Sequence, residues 1–372
     1  MSDESMTPQE RPGGIRATGR GRKAPGARRG ALTITAWSAA GLTLLGGAGL
    51  GYVYFQLDGN LKGVDINAAL GTDRPHNVDN GSMDILLMGS DSRAGANGKY
   101  GDDGSGERAD TAMVLHVHKG HKKASVVSIP RDTMVGRPEC KKPSGGTSPA
   151  VERGMFNESY QAGGPACAVK TVEKMSGIRM DHYVEVDFTG FKKLINELGG
   201  VPVDTSEPIK DKSSKLDLQP GKHTLDGEQA LGLVRTRHAV GDGSDLGRIQ
   251  LQQAFLKALI SQVKHVDVFG DPGKLYGLAD TATRTVTTDS ELSSVNKLVS
   301  FTKGLKGIEG NDMNMVTLPV NYDKDDPNRV LPMEKQSREV WNALLHDRPV
   351  PKSATKGTAG DRAGATGVVK SS

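Results

Sequence analysis

Between about residues 82 and 350 the apolar positions follow two alternating rhythms. Short runs that are continuously apolar, or apolar at every second position, and rich in Val and Ile predict strands at Asp84–Gly89, Ala112–His118, Ala124–Ile129, His182–Asp187 and Asn314–Val320. Apolar residues three and four apart predict helices at Ala166–Ser176, Thr189–Leu198, Gly227–Arg235, Leu246–Val263, Pro272–Ala279, Ser290–Gly304 and Glu334–Leu345. In the helix from Leu246, residues Ile249, Leu251, Phe255, Leu256, Leu259 and Ile260 recur at helical spacing, which predicts an apolar face. Strands alternating with helices argue for an α/β domain, and no internal repeat competes with that reading.

A different pattern precedes the domain. From Ala31 to Leu57 the run ALTITAWSAAGLTLLGGAGLGYVYFQL carries no charge, and it is long enough for the roughly 20 apolar residues that span a hydrocarbon core as a helix. Basic residues crowd its N-terminal side and Asp58 follows it. The positive-inside rule therefore predicts a single-pass anchor in the cell membrane, N-terminus cytoplasmic and main domain extracellular. A cleaved signal peptide ending in the Ala/Gly cluster 46–51 is the rival reading. Tyr52, Tyr54 and Phe55 favour the uncleaved anchor, because they extend the run to spanning length and suit an interfacial belt. Residues 58–81 read as a juxtamembrane stalk. Residues 1–30 and 351–372 hold almost no large apolar side chains, which predicts two disordered ends.

Charge placement narrows the function classes. The chain's net charge is +4, and its first 30 residues, with seven Arg/Lys against three acids, already account for it. The remainder is neutral, so no basic body is available to hold nucleic acid. The two cysteines, Cys140 and Cys167, bracket a stretch rich in Pro, Gly and Ser. Outside a membrane such a pair predicts a disulfide worth roughly 2 to 4 kcal/mol, and without a nearby histidine it makes a poor zinc site.

Charged residues gather where strands should end. "ILLMGSDSR" puts Asp91 and Arg93 after a strand, "GERADTAMVLHV" puts Arg108 and Asp110 before one, and "SVVSIPRDT" puts Arg131 and Asp132 after another. In an open α/β sheet, ligands bind beyond the carboxyl ends of strands. "LVRTRHAVGDGSDLGRIQLQQ" adds Arg235, Arg237, Asp245, Arg248 and Gln252, the last two one helical turn apart on one face. Each Asp/Arg pair taken singly reads as an ordinary ion pair. Five or six arginines on one side of a sheet need an anion, and the forked guanidinium matches phosphate oxygens. Carboxylates in that setting oppose an anion unless a hard cation such as Mg²⁺ lies between. Two segments read as decoys. The glycine-rich 95–106 lacks P-loop spacing, and "HVHKGH" places His116 and His118 on one face with His121 beyond, without a clear fourth ligand, so it reads as a half-exposed strand. No Gly-x-Ser-x-Gly elbow is present.

From about Met83 to Leu259 the chain resembles the LytR-CpsA-Psr family of cell-wall glycopolymer ligases, in an actinobacterial-type form. The likeness runs through "ILLMGSDSR", "RADTAMVLHV", "SVVSIPRDT", "FNESYQAGG", "DHYVEVDFTGFKKLINELGGVPVD", "LDGEQALGLVRTRH" and "DGSDLGRIQLQQAFLKAL", in that order. The resemblance implies a mixed central sheet flanked by helices. It also implies a Mg²⁺-dependent phosphotransferase that moves a glycopolymer from a polyprenyl-pyrophosphate carrier to peptidoglycan, with the lipid in an apolar groove. By motif position, Asp91 and Asp110 would hold Mg²⁺. Arg93, Arg108, Arg131, Arg235, Arg237 and Arg248 would grip the pyrophosphate, supported by Gln252, and Asp132 or Asp245 would serve as base. The sequence departs from the family in three places: about 18 residues separate Asp91 from Asp110, Leu251 stands where a second arginine is frequent, and Leu233 where an aromatic is common. Two other classes share the same features, a membrane-anchored receptor or regulator of cell-wall synthesis and a lipid-pyrophosphate hydrolase.

Overall fold

The computed structural model describes residues 51–90, 109–266 and 271–371. Ten strands build its two main sheets: β1 (Lys62–Val64), β2 (Met83–Ser90), β3 (Ala109–Val117), β4 (Ala124–Ile129), β5 (His182–Asp187), β6 (Val201–Thr205), β7 (Gly221–Leu225), β8 (Val286–Asp289), β9 (Met313–Thr317) and β10 (Val369–Ser371). The longer helices are α1 (Glu158–Ser176), α2 (Phe188–Glu197), α3 (Gly227–Arg235), α4 (Asp245–His265), α5 (Pro272–Thr285), α6 (Val295–Leu305) and α7 (Glu334–Leu345). Seven strands form a mixed sheet in the order β1-β8-β5-β2-β3-β4-β9. Strand β2 runs parallel to β5 and antiparallel to β3, β4 is antiparallel to β3, and β9 is parallel to β4. Four strands, β2, β4, β5 and β9, therefore end on one edge. The expected mixed sheet flanked by helices is present, although the short β1, β6, β7 and β8 were not legible as apolar runs.

Both faces of the large sheet are covered, which is why its central strands are apolar almost throughout. Leu86, Met88, Val114 and Val127 share a cluster with Phe156, Val172, Trp341 and Leu344. Ile85, Met113, Leu115 and Val126 join another, packed against Leu256, Ile260 and Ile308. Neighbouring residues of one strand thus part to opposite faces, as the two-residue period of a strand requires. The small sheet, β7-β6-β10, has its own cluster with α3 and α4. Helix α4 contributes to all three: Leu246 and Ile249 to the first, Leu256 and Ile260 to the second, Leu251 and Phe255 to the third. It sends apolar residues to three clusters, where the sequence spacing suggested a single face.

Two expectations about the domain's limits, and one about where a helix starts, are corrected. Within the supposed stalk 58–81, β1 pairs with β8, and Ile66 and Leu70 are buried in the core. The supposed disordered tail is folded. Ala354, Ala359 and Ala363 enter the first cluster, Ala365, Val368 and Val369 the third, and β10 pairs with β6. Small side chains suffice because the tail lies close to its neighbours: at Gly241, with φ +55°, a Cβ would meet the Ala363 carbonyl oxygen at 2.1 Å. Helix α1 begins at Glu158, ahead of the expected Ala166, and bends at Gly163 and Gly164 before Pro165. Cys140 and Cys167 form the expected disulfide, with a Cα separation of 5.4 Å. A Cβ on Gly163 would lie 2.9 and 3.0 Å from the two cysteine Cβ atoms, so the bend and the crosslink are packed together. Residues 1–50, with the basic head and most of the expected membrane span, lie outside the described residues. Residues 51–60 are helical, and among the described residues no helix is long and apolar enough to cross a membrane.

Candidate functional site

Asp110 opens β3, and Arg131 and Asp132 follow the end of β4, on the edge where β2, β5 and β9 also finish. Helix α4 begins at that edge. Its N-cap Ser244 accepts from the Leu246 amide, and Asp245 and Arg248 occupy its first turn. Arg131 is the hub of the cluster. Its Nη1 donates to Asp110 Oδ1 at 2.6 Å, its Nε donates to Asp132 Oδ2 at 3.4 Å, and the same nitrogen lies 3.8 Å from Asp245 Oδ1. Asp245 Oδ1 also lies 2.5 Å from Arg248 Nη2 and 3.6 Å from Arg237 Nη2. The buried Arg248 donates through Nη2 to the Asp110 carbonyl at 3.0 Å.

These close ion pairs neutralise charge without satisfying every polar atom. Among the described residues, both carboxylate oxygens of Asp245 and the Nε of Arg248 are buried with no aligned hydrogen-bond partner. The short Asp245–Arg248 contact is therefore a Coulombic pair of poor hydrogen-bond geometry. Unsatisfied atoms of this kind are uncommon in native interiors and mark places where a ligand or strain has a role. Burial alone would raise the pKa of Asp110, but Arg248 and Arg131 outweigh it and hold the carboxyl below its ordinary value. Burial also favours the neutral form of Arg237, and the like charges of Arg248 and Arg131 add to that, bringing its pKa down to about 10. Burial acts the same way on Arg131, yet Asp110, Asp245 and Asp132 prevail and raise it. An anion beside Arg237 would counter both effects.

Other expected site residues are placed differently. Gln252 donates to Thr111 Oγ1 at 3.0 Å and to the Val234 carbonyl at 2.9 Å, tying α4 to β3 and α3. The Arg235 guanidinium lies over the Phe188 ring, 5.0 Å from its centroid. Leu251 and Leu233 are fully buried in the cluster of the small sheet, so neither substitution faces the arginines. Asp91, Arg93 and Arg108 lie outside the described residues, as does the loop 95–106. Arg329 was missed: its Nη1 is 4.0 Å from Asp132 Oδ1, brought there by a bridge between Thr133 and Val330. Its segment reads as a polar loop, and only that remote backbone pairing reveals its position. A cavity of about 510 Å³ borders another face of α4, lined by Gln250, Gln253, Lys257, Thr317, Thr358 and Asp361. Its amides and hydroxyls do not match the apolar groove expected for a lipid.

At the other end of β3 the structure corrects the reading of "HVHKGH". His116 is fully buried, and His116, His118 and Asp347 bring potential metal-ligating atoms within 4.8 Å of one another. Asp347 is far away in sequence, which is why no further ligand could be seen there.

Comparison with known proteins decides the family. The LytR_cpsA_psr family matches residues 53–346, most of the chain. The chain belongs to the LytR-CpsA-Psr family. It is 33% identical over 303 residues to the cell wall biosynthesis protein LcpA of Corynebacterium glutamicum, covering 73% of this chain and 57% of LcpA. It is 32% identical over 292 residues to the polyisoprenyl-teichoic acid–peptidoglycan teichoic acid transferase TagT of Bacillus subtilis, covering 75% of this chain and 83% of TagT. Among solved structures, TagT bound to LIIa-WTA superposes with a TM-score of 0.55 at 26% identity, over 76% of this chain and 98% of that one. The chain spans little more than half the length of LcpA. Within this LytR-CpsA-Psr chain the family match includes Asp110, Arg131, Asp245 and Arg248, and it ends one residue before Asp347.

Proposed function

We propose that this protein is a membrane-anchored, Mg²⁺-dependent phosphotransferase that moves a glycopolymer from a polyprenyl-pyrophosphate carrier to a hydroxyl of peptidoglycan outside the cell. The observation that carries this reading is the set of three guanidiniums, Arg131, Arg237 and Arg248, crowded at the carboxyl edge of the sheet in a family whose member TagT bears the name of a teichoic acid transferase. Guanidinium forks bind the oxygens of a pyrophosphate in pairs, and a cation at the carboxylates among them would offset their opposing charge. By motif position Arg93, Arg108 and Arg235 would add to the cradle, and Gln252 acts as a positioning residue by fixing α4 against β3.

The residues also fit the cation. Asp110 is kept ionised by its arginines, and an anionic oxygen is the donor that Mg²⁺ takes; by motif position Asp91 would supply the second carboxylate. Bound by these carboxylates, Mg²⁺ would supply positive charge to offset the negative charge of the phosphates. In the transfer, the acceptor hydroxyl oxygen forms a bond to the sugar-linked phosphorus, the bond from that phosphorus to the bridging oxygen breaks, and polyprenyl phosphate leaves with the electron pair. The hydroxyl proton passes to a carboxylate. Both oxygens of Asp245 are closed off from solvent, so Asp132 is the base an acceptor can reach.

The test incubates the full chain with Mg²⁺, a lipid-pyrophosphate-linked saccharide and peptidoglycan oligomers, and reads products by mass spectrometry beside an Asp110→Ala control. A phosphodiester-linked saccharide on the glycan, absent from the control, is the expected result. Free phosphosaccharide alone would assign a hydrolase, and lipid binding without product would assign a receptor.

A further inference from the structure

The end of β3 remote from the arginines carries a cluster that the transfer reaction does not use. Asp84, His116 and Ser125 are register partners across β2, β3 and β4, so their side chains stand side by side on one face. His118 stands two residues on, on the same face. His116 Nδ1 lies 2.8 Å from Asp84 Oδ1, and His118 Nε2 lies 2.9 Å from Ser125 Oγ. With those nitrogens engaged, the opposite nitrogens of both rings turn to a single atom. Asp347 Oδ1 lies 3.2 Å from His116 Nε2 and 2.7 Å from His118 Nδ1.

Asp347 is held there by its backbone. It follows α7 in a Schellman turn, with the Arg348 amide donating to the Ala343 carbonyl at 2.7 Å and the Asp347 amide to that of Leu344 at 2.8 Å. The residue at this position is usually glycine because it is left-handed, and Asp347 adopts φ 51°. A strained conformation carrying a functional side chain is retained where the side chain has a task. The Lys119 amide, 3.3 Å from Oδ2, further orients the carboxylate.

We infer that His116 Nε2, His118 Nδ1 and Asp347 Oδ1 form a second metal site, one for a borderline transition ion of the Zn²⁺ class, that clips α7 to the sheet. Two imidazoles and a carboxylate select such an ion over Mg²⁺. Ligand atoms around tetrahedral zinc are about 3.3 Å apart at normal bond lengths. The His116 contact already has that spacing, and the His118 contact needs to open by about 0.6 Å. The supports also fit: Asp84 behind His116 and Ser125 behind His118 are the outer partners that fix the rings of metal-bound histidines. Water completes the fourth position. The site lies about 20 Å from Asp110, six residues along an extended strand, so it is independent of the proposed donor site.

The test uses the full chain without a histidine tag, stripped with chelator, reloaded with Zn²⁺ and desalted. One zinc per chain is expected, retained in millimolar Mg²⁺, together with a rise in melting temperature. Loading with Co²⁺ gives visible bands of a tetrahedral nitrogen-ligated ion, a readout that needs no variant. Asp347→Asn keeps a residue that tolerates the left-handed turn, and His118→Asn alters the more accessible ring; each lowers zinc affinity at least about 100-fold. Asp110→Asn keeps the zinc while losing transfer, which separates failure of this site from failure of the phosphotransferase reading. No retained zinc in the wild-type chain, or equal retention by both ligand variants, overturns the inference and leaves a proton-linked histidine–aspartate network.

Discussion

At one end of β3, Asp110 sits among guanidiniums; at the other, His116 sits between the carboxylates of Asp84 and Asp347. The first end is crowded with permanent charge and, among the described residues, leaves Asp245 and Arg248 with buried atoms lacking aligned partners. At the second, every ring nitrogen of His116 and His118 has a partner, and two of them converge on one oxygen. The difference is one of ligand chemistry. Guanidinium and carboxylate suit phosphate and a hard cation, whereas paired imidazoles suit a softer ion. One strand can carry both because its ends are too far apart for either cluster to disturb the other.

Removing the hub of the arginine end should break this comparison most sharply. Arg131→Ala takes a partner from Asp110, Asp132 and Asp245 together, and transfer to peptidoglycan should fall about 10²- to 10³-fold, the loss typical of a group that stabilises transition-state charge. Zinc retention at the histidine end should not change. Unaltered binding of polyprenyl pyrophosphate by this variant, measured by calorimetry, would remove the arginine cradle altogether.

A change at neither end sharpens the contrast. Replacing Cys140 and Cys167 together with serine removes a crosslink spanning 27 residues and should cost roughly 2 to 4 kcal/mol in urea unfolding. Zinc stoichiometry and pyrophosphate affinity of the folded protein should persist. If either vanished while the fold remained, the two clusters would depend on the bend in α1.

The smallest effect concerns pH. Asp110 has its pKa depressed in the folded chain, so its contribution to stability is complete above the ordinary carboxylate value of 3.8 and is lost as pH falls through the lower folded value. The stability difference between wild type and Asp110→Asn should therefore stay level from about pH 7 to about pH 5 and shrink only in stronger acid. A difference that instead grew in favour of wild type as pH fell toward about 5 would mean that desolvation outweighs the arginines at this position.

Sequence alone determined what local chemistry can encode. The apolar periods located the central strands and most helices, because burial on two faces leaves its mark within a few residues. The charged motifs located Asp110, Arg131, Arg237, Asp245 and Arg248 at strand and helix ends, and strand order then placed them within ion-pair reach. Tertiary structure alone decided the rest. Arg329 reaches Asp132 through a backbone bridge, and the tail's alanines pack because Gly241 admits them closely. Asp347 meets His116 across 231 residues of chain. A contact between residues so far apart leaves no periodic signature in either segment, since each one's local pattern reports only that it is buried or exposed and not what lies beside it.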